Sequence, residues 1–377
     1  MTRLRSVYLI CATAAVLMLV SELVAHLGLL AYQSKPAPTL AGLPGPVQHN
    51  YSHMPPADVA VLLQDTAASR WRYEPIVGFV AEQQHTRFIN VNAKGIRSNG
   101  TGNNPIDDAI WFFGGSTAFG YGVADRETIP AFLEAQMGKP VINFGVPGHY
   151  SVHETRLLSQ QLRLGFRPSM VVFLDDVNES CEADIAEAEL GDLVARSQRG
   201  YFWQPAGPVL LASRIVLART MRTLGLVERS NPNTLELTCE VAARRFPLAE
   251  LTARALTERG AICRLYELDC RTFIQPFATV HGRFDAPVDE ATAAYLGGLY
   301  EHLEPVWRNS DVTFLVTALD TLEHHAYIDE VHYSASAHRL IAEVMAGRLA
   351  ATAPRPGGGI TNPPARSAAP GSSSPAR

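Results

Sequence analysis

Lysine is nearly missing from this chain of 377 residues: of 32 basic residues, only Lys35, Lys94 and Lys139 are lysines. No Lys/Arg-rich run stands out, and the formal net charge is −5. That balance leaves no basic face of the kind nucleic-acid binders carry, so no nucleic-acid partner is expected. Cysteine is scarce as well. The five cysteines include no C-x-x-C pair and have no histidine at metal-ligand spacing, which argues against a structural zinc site. Charged residues amount to 18% against 47% hydrophobic ones, so the chain can bury a sizeable core and is not a disordered polymer. No internal repeat is present.

What is present begins with a targeting pattern. Arg3 and Arg5 precede an uncharged run at 6–21, and apolar residues resume at 23–31, with Glu22 and His26 as interruptions. About 20 apolar residues span a bilayer core, so residues 7–32 are long enough. A secretory signal peptide opens in the same way. No small-x-small cleavage site followed by a mature start is evident between 20 and 40, and Cys11 lacks the small residue that precedes a lipid-modified cysteine. The expectation is a cytoplasmic tip and an uncleaved, single-pass signal anchor over 1–32, with a cleaved signal peptide and secretion as the alternative. The basic end stays in the cytoplasm, which sends everything after Tyr32 outside, into the periplasm. Disulfides then become possible among Cys181, Cys239, Cys263 and Cys270; three pairings exist, and buried free thiols remain open too.

Composition marks the remaining boundaries. Residues 33–56 shift to Pro, Gly, Ala and polar residues, as a linker off the membrane would. Residues 354–377 are rich in Pro, Gly, Ser and Ala; they cannot bury enough surface to offset their ordering entropy, and a disordered tail is expected. The folded domain is expected over 57–353. Within it short apolar runs alternate with helical patterns. Strands are read at 109–113 (AIWFF), 140–144 (PVINF) and 170–174 (MVVFL), and helices at 127–137 and from Ser151 to about 164. Ser151 and Glu154 have the spacing of a capping box. Further runs follow at 261–268, 272–274 and 312–317, with helices near 289–307 and 336–349. Alternation of this kind implies an α/β fold with a mainly parallel sheet covered on both faces. Active sites in such sheets lie at the carboxyl ends of the strands.

Four segments sit at those ends. Gly114-Gly115-Ser116-Thr117 follows the first strand and exposes a serine on a tight turn. It lacks both the G-x-G-x-x-G spacing and a Walker lysine of phosphate loops, and Ala118 replaces the last glycine of a lipase elbow. Gly145-Val-Pro-Gly148-His-Tyr-Ser151 follows the second strand and can aim backbone N–H groups at an anion. Asp175-Asp176-Val-Asn178-Glu179 follows the third, where an asparagine amide can donate into the same cleft. Asp329 and His332, three residues apart before the last helix, can supply a base and the carboxylate that orients it. Each segment alone reads as an ordinary turn, cap or chance pair.

Taken together, their order and spacing resemble the four blocks of the SGNH (GDSL-type) hydrolase superfamily, in the manner of its membrane-anchored bacterial members. The resemblance covers about 111–179 and 328–349. It implies a flavodoxin-like three-layer α/β/α sandwich, here preceded by a transmembrane helix. It implies Ser116 as nucleophile, His332 as base and Asp329 as the residue orienting it. The oxyanion hole would use the N–H of Ser116, the N–H of Gly148 and the amide of Asn178, with Gly145 the fallback if the turn is threaded differently. Two departures stand out: Gly115 replaces the usual aspartate of the first block, and Asp176 and Glu179 replace the Gly and Asp of the third, putting two extra carboxylates near the cleft. Residues 180–260 match nothing in the family and read as an insertion; residues 57–108 read as a lead-in forming an edge strand or hairpin.

The expected activity is serine esterase or acyl hydrolase chemistry on an acyl ester outside the cytoplasm, with glycans or lipids as the deacylated class and no metal or cofactor. A neutral base requires activity to rise with pH through about 6.5, the ordinary histidine value. Transfer of the acyl group to an envelope or exported polysaccharide is one alternative. A non-catalytic, membrane-anchored glycan-binding or assembly module is the other.

Overall fold

The computed structural model describes residues 39–352 apart from 103–104, 176, 182–247, 279, 282–287 and 324, together with a few isolated positions before residue 39. Most of the expected anchor, most of the expected insertion, Cys11, Cys239, Asp176 and the expected tail lie outside the described residues. Among the described residues no helix is long and apolar enough to cross a membrane.

Before the main sheet come a five-residue helix over Gly45–His49, a longer helix, α1 (Pro56–Ala68), and four short strands: β1 (Trp71–Glu74), β2 (Gly78–Ala81), β3 (Gln84–His85) and β4 (Asn90–Val91). The first helix lies in the stretch expected as a linker, but Val47 and Tyr51 are buried in a core cluster with Val59 and Leu62, so that stretch is part of the fold from there on. β1 and β2 form an antiparallel hairpin, as do β3 and β4. The sheet itself consists of β5 (Ile110–Gly114), β6 (Val141–Asn143), β7 (Met170–Asp175), β8 (Cys270–Ile274) and β9 (Val312–Phe314). All neighbouring pairs are parallel, in the order β6-β5-β7-β8-β9. Relative to the chain this is 2-1-3-4-5, the flavodoxin-like order, whose direction reverses at β5. The lead-in is tied to the β6 edge through backbone bridges of Arg97 with Val91 and Asn143.

The central strands β5 and β7 are apolar at almost every position because both faces are covered, and their alternation sorts the core into two layers. Ile110, Phe112, Val172 and Leu174 join one cluster with α3 (Ile129–Met137), α6 (Glu290–Arg308) and α7 (Ala335–Thr352). Trp111, Phe113, Val171 and Phe173 join the other with α4 (Ser151–Arg163) and α5 (Leu248–Leu265). The result is a helix–sheet–helix sandwich.

Three expectations change. Residues 261–265 of the apolar run at 261–268 are the last turns of α5, and the following strand begins at Cys270. The expected insertion cannot extend to 260, because α5 is a core helix from Leu248, with Ala255 and Arg259 buried. The capping box at Ser151 does not form: Tyr150 is the N-cap without a side-chain bond, and Glu154 turns instead to Arg259. Of the open cysteine pairings, the structure joins Cys263 to Cys270, linking the end of α5 to the start of β8.

Candidate active site

Ser116 begins a helix of four residues, α2 (Ser116–Phe119), directly after β5. The turn needs its glycines. A Cβ on Gly114 would lie 2.6 Å from the Ala118 Cβ and 2.9 Å from the Leu174 carbonyl. The helix stops at Gly120, whose φ of 85° is left-handed and whose N–H returns to the Ser116 carbonyl. Thr117, fully buried, donates through Oγ1 to Gln275 Oε1 at 2.7 Å and ties the turn to the end of β8. Ser116 keeps a small opening, 8% exposed. As the first residue of a helix, its N–H has no intrahelical acceptor.

The segment after α2 meets the loop that carries Asp329 and His332. The Tyr121 N–H donates to the Ser116 carbonyl at 3.0 Å. Its ring lies 4.4 Å from the His332 ring, centroid to centroid, at 30°. Gly122 faces Ile328 so closely that a Cβ there would lie 2.2 Å from its Cδ1. The loop holds its own shape: Asp329 Oδ1 accepts from the N–H groups of Val331 at 2.9 Å and His332 at 2.7 Å. Asp329 Oδ2 lies 2.7 Å from His332 Nδ1. Burial would raise the Asp329 carboxyl, but the charge of His332 and these hydrogen bonds hold it below the usual carboxylate range. An ionised carboxylate only accepts, so Nδ1 carries the proton and Nε2 is the basic nitrogen. The His332 and Asp329 side chains are 18% and 32% exposed, while the His332 Nε2 atom itself is covered.

The loop after β6 is built on Asn143. Its Oδ1 accepts from the Gly145 N–H at 2.9 Å, and its Nδ2 donates to the Ala118 carbonyl at 3.0 Å. Gly145 lies under α2, where a Cβ would come within 2.3 Å of the Phe119 nitrogen. Its N–H is therefore committed, which removes Gly145 as the fallback donor. Gly148 is exposed, with φ of 86°, beside the Phe79 ring. Asn178, in the loop after β7, donates through Nδ2 to the His149 carbonyl at 2.9 Å and joins the second and third loops. The three expected oxyanion donors thus come from three adjacent strand ends, around the point where strand order reverses. His149 is buried; its Nε2–H donates to the Phe79 carbonyl at 2.7 Å, and burial next to His153 lowers its pKa to about 3.

Glu179 was expected as an extra carboxylate near the cleft. It is instead 0% exposed and accepts from the Ser151 N–H at 2.9 Å and from the Ser151 hydroxyl, capping α4 from another strand's loop. Two arginines escaped the sequence reading. Arg97, 1% exposed, bonds Asp125 at 2.9 Å and the carbonyls of Phe119, Gly120 and Val123 at 3.2, 3.1 and 2.9 Å. Arg259 bonds both oxygens of Asp175, at 2.9 and 3.0 Å, and Glu154 at 3.0 Å, over the Phe173 ring. No local signal marks either one, since their partners are brought together only by folding.

No family model matches the chain, and no curated protein does. Among solved structures, a lipolytic protein of the G-D-S-L family from Desulfitobacterium hafniense DCB-2 is 11% identical, with a TM-score of 0.36, over 64% of this chain and 99% of that one. Est24, a carbohydrate acetylesterase from Sinorhizobium meliloti, is 12% identical, with a TM-score of 0.34, over 65% and 99%. An aryl esterase of M. smegmatis is 11% identical, with a TM-score of 0.33, over 65% and 99%. At such identities and scores the likeness decides nothing about the chemistry, which falls to the strand-end geometry.

Proposed function

We propose that the chain is an SGNH-type serine esterase. The observation that carries this reading is the Asp329–His332 pair, seated through Tyr121 against the turn that bears Ser116. In the proposed cycle, His332 Nε2 takes the proton of Ser116 Oγ as that oxygen attacks an ester carbonyl. The backbone N–H groups of Ser116 and Gly148 and the amide of Asn178 stabilise the tetrahedral oxyanion. The leaving alcohol departs with the proton from His332, and water, activated by the same nitrogen, cleaves the acyl-enzyme. Asp329 stays ionised throughout and holds the imidazole in the Nδ1–H tautomer.

The reading extends to location. The apolar segment at 7–32 supports a single-pass anchor, and the Cys263–Cys270 pair supports an oxidising compartment outside the cytoplasm. Acyl esters of envelope glycans or lipids are then the substrates within reach.

A fluorophosphonate probe tests the chemistry on full-length protein in detergent. Wild type should label covalently, while Ser116→Ala should not label and His332→Ala should label far more slowly. A folded wild type that stays unlabelled would end the esterase reading. Asn178→Ala should retain labelling but lose roughly 10²–10³ in kcat, as loss of one oxyanion donor does elsewhere. Steady-state hydrolysis of p-nitrophenyl acetate measures this.

A further inference from the structure

The outer hairpin carries aromatic groups for which the proposed chemistry has no use. Trp71 and Tyr73 are 41% and 50% exposed, and among the described residues no other Phe, Tyr or Trp is as open to solvent. Single exposed apolar side chains are common and need no explanation. These two stand apart because of where the strand register puts them. Directly opposed residues of an antiparallel pair share a face. Tyr73 is opposite Phe79, and Trp71 opposite Ala81, so Trp71, Tyr73 and Phe79 line one face of the hairpin.

That face adjoins the candidate site. The Phe79 ring lies 5.0 Å from the His149 ring and 5.1 Å from the His153 ring. It also borders Gly148, 3.5 Å from where a Cβ on that residue would be. Gly148 is exposed and belongs to the loop assigned to the oxyanion. The strip therefore starts at the rim of that loop and runs outward through Tyr73 to Trp71. Opposed Cβ atoms lie about 5 Å apart and alternate strand residues about 7 Å apart, which gives a length suited to more than a small acyl group.

The side-chain types decide which ligand fits. An alkyl chain gains most from an enclosed aliphatic channel, whereas this strip is open and half-wetted. Tyr and Trp combine a flat apolar face with a polar edge that stays hydrated. A pyranose ring has the matching shape, with an apolar C–H face and a rim of hydroxyls.

We infer that Trp71, Tyr73 and Phe79 form a stacking subsite for the sugar rings of an acylated oligosaccharide, leading to the Gly148 loop. The inference rests on the esterase reading for the place of the acyl group, but the subsite binds whether or not chemistry follows.

Full-length Ser116→Ala protein in detergent is titrated by calorimetry with O-acetylated tetrasaccharides of xylose, mannose, N-acetylglucosamine and mannuronate. At least one is expected to bind. Adding Trp71→Ala or Tyr73→Ala should weaken it roughly tenfold, equivalent to about 1.4 kcal/mol. Leu265→Ala, at a 76% exposed position on α5, should leave affinity unchanged. If Trp71→Ala fails to fold, acrylamide quenching of tryptophan emission replaces it, in a Trp203→Phe background. Trp111 and Trp307 are 0% exposed, so bound glycan should reduce quenching by shielding Trp71. No binding of any tetrasaccharide, binding indifferent to both substitutions, or quenching unchanged by glycan overturns the inference. So does Trp71-dependent binding to phosphatidylglycerol vesicles in place of glycan. Turnover of p-nitrophenyl acetate by wild type is read separately: its absence removes the esterase reading and leaves glycan binding to decide this one.

Discussion

An imidazole that takes up a proton during a reaction gains from an aromatic face beside it, and Tyr121 offers one to His332 at 4.4 Å. A cation within about 6 Å of a ring centroid gains about 0.5–1 kcal/mol at an exposed site and more where water is excluded. Tyr121→Leu is therefore expected to lower kcat by roughly two- to tenfold with little change in KM, while Tyr121→Phe keeps the ring and most of the rate. Equal losses in both variants would point to the hydroxyl and away from the ring. At this scale the sequence was legible wherever chemistry and position coincide. Ser116 lies just after a strand end, and Asp329 and His332 lie just before the last helix, so the order and spacing of their segments could point to them although no single segment does. Glu179 misled because a carboxylate beside a cleft reads as functional, yet its partner is the Ser151 N–H across the sheet. Arg97 was invisible for a similar reason: a guanidinium that binds three carbonyls and a carboxylate has no sequence pattern of its own.

Elements were easier to read than their ends. Fully apolar runs such as 110–113 have to be buried on both faces, and the structure divides them residue by residue between the two helical layers. The run at 261–268 failed because a short apolar stretch suits a helix segment as well as a strand, and here only Cys263 of the helical part is buried. The capping box at Ser151 failed because Glu154 has a stronger partner in Arg259, and Glu179 reaches the helix start instead. The lead-in before β5 proves to be more than a lead-in. Through Arg97 it closes the carbonyls that α2 leaves open, at Phe119 and Gly120. Removing one partner of a buried ion pair costs about 3–5 kcal/mol, so Arg97→Met should destabilise the fold by that order. Arg97→Lys should recover only part of the loss, because an ammonium is a point donor that cannot span acceptors on both sides. Urea unfolding of the two variants beside wild type measures both effects.

For the molecule as a whole, acid is the condition to watch. His149 and His338 are 0% exposed, and burial, the largest cause in each case, lowers both to about 3. In the unfolded chain such rings titrate near 6.5, so between pH 6.5 and 3 the unfolded state binds more protons and stability rises with pH. Acidification from pH 7 to 4 should lower the urea midpoint, each ring contributing up to about 1.4 kcal/mol per pH unit below 6.5. Asp329, held below its ordinary value, adds to the same trend: its contribution is present at neutral pH and is lost as pH falls through its folded pKa. A midpoint that stays flat from pH 7 to 4 would mean that the two rings are not buried neutral. The sheet order has a consequence in time as well as in space. Ser116 and the proposed donor loops follow the first three strands of the sheet to be synthesised, whereas His332, the proposed base, waits on the loop after the last. Under the proposed chemistry, a chain emerging from the N-terminal end shapes its cleft early while remaining chemically silent, and its base arrives only once the final segment has docked.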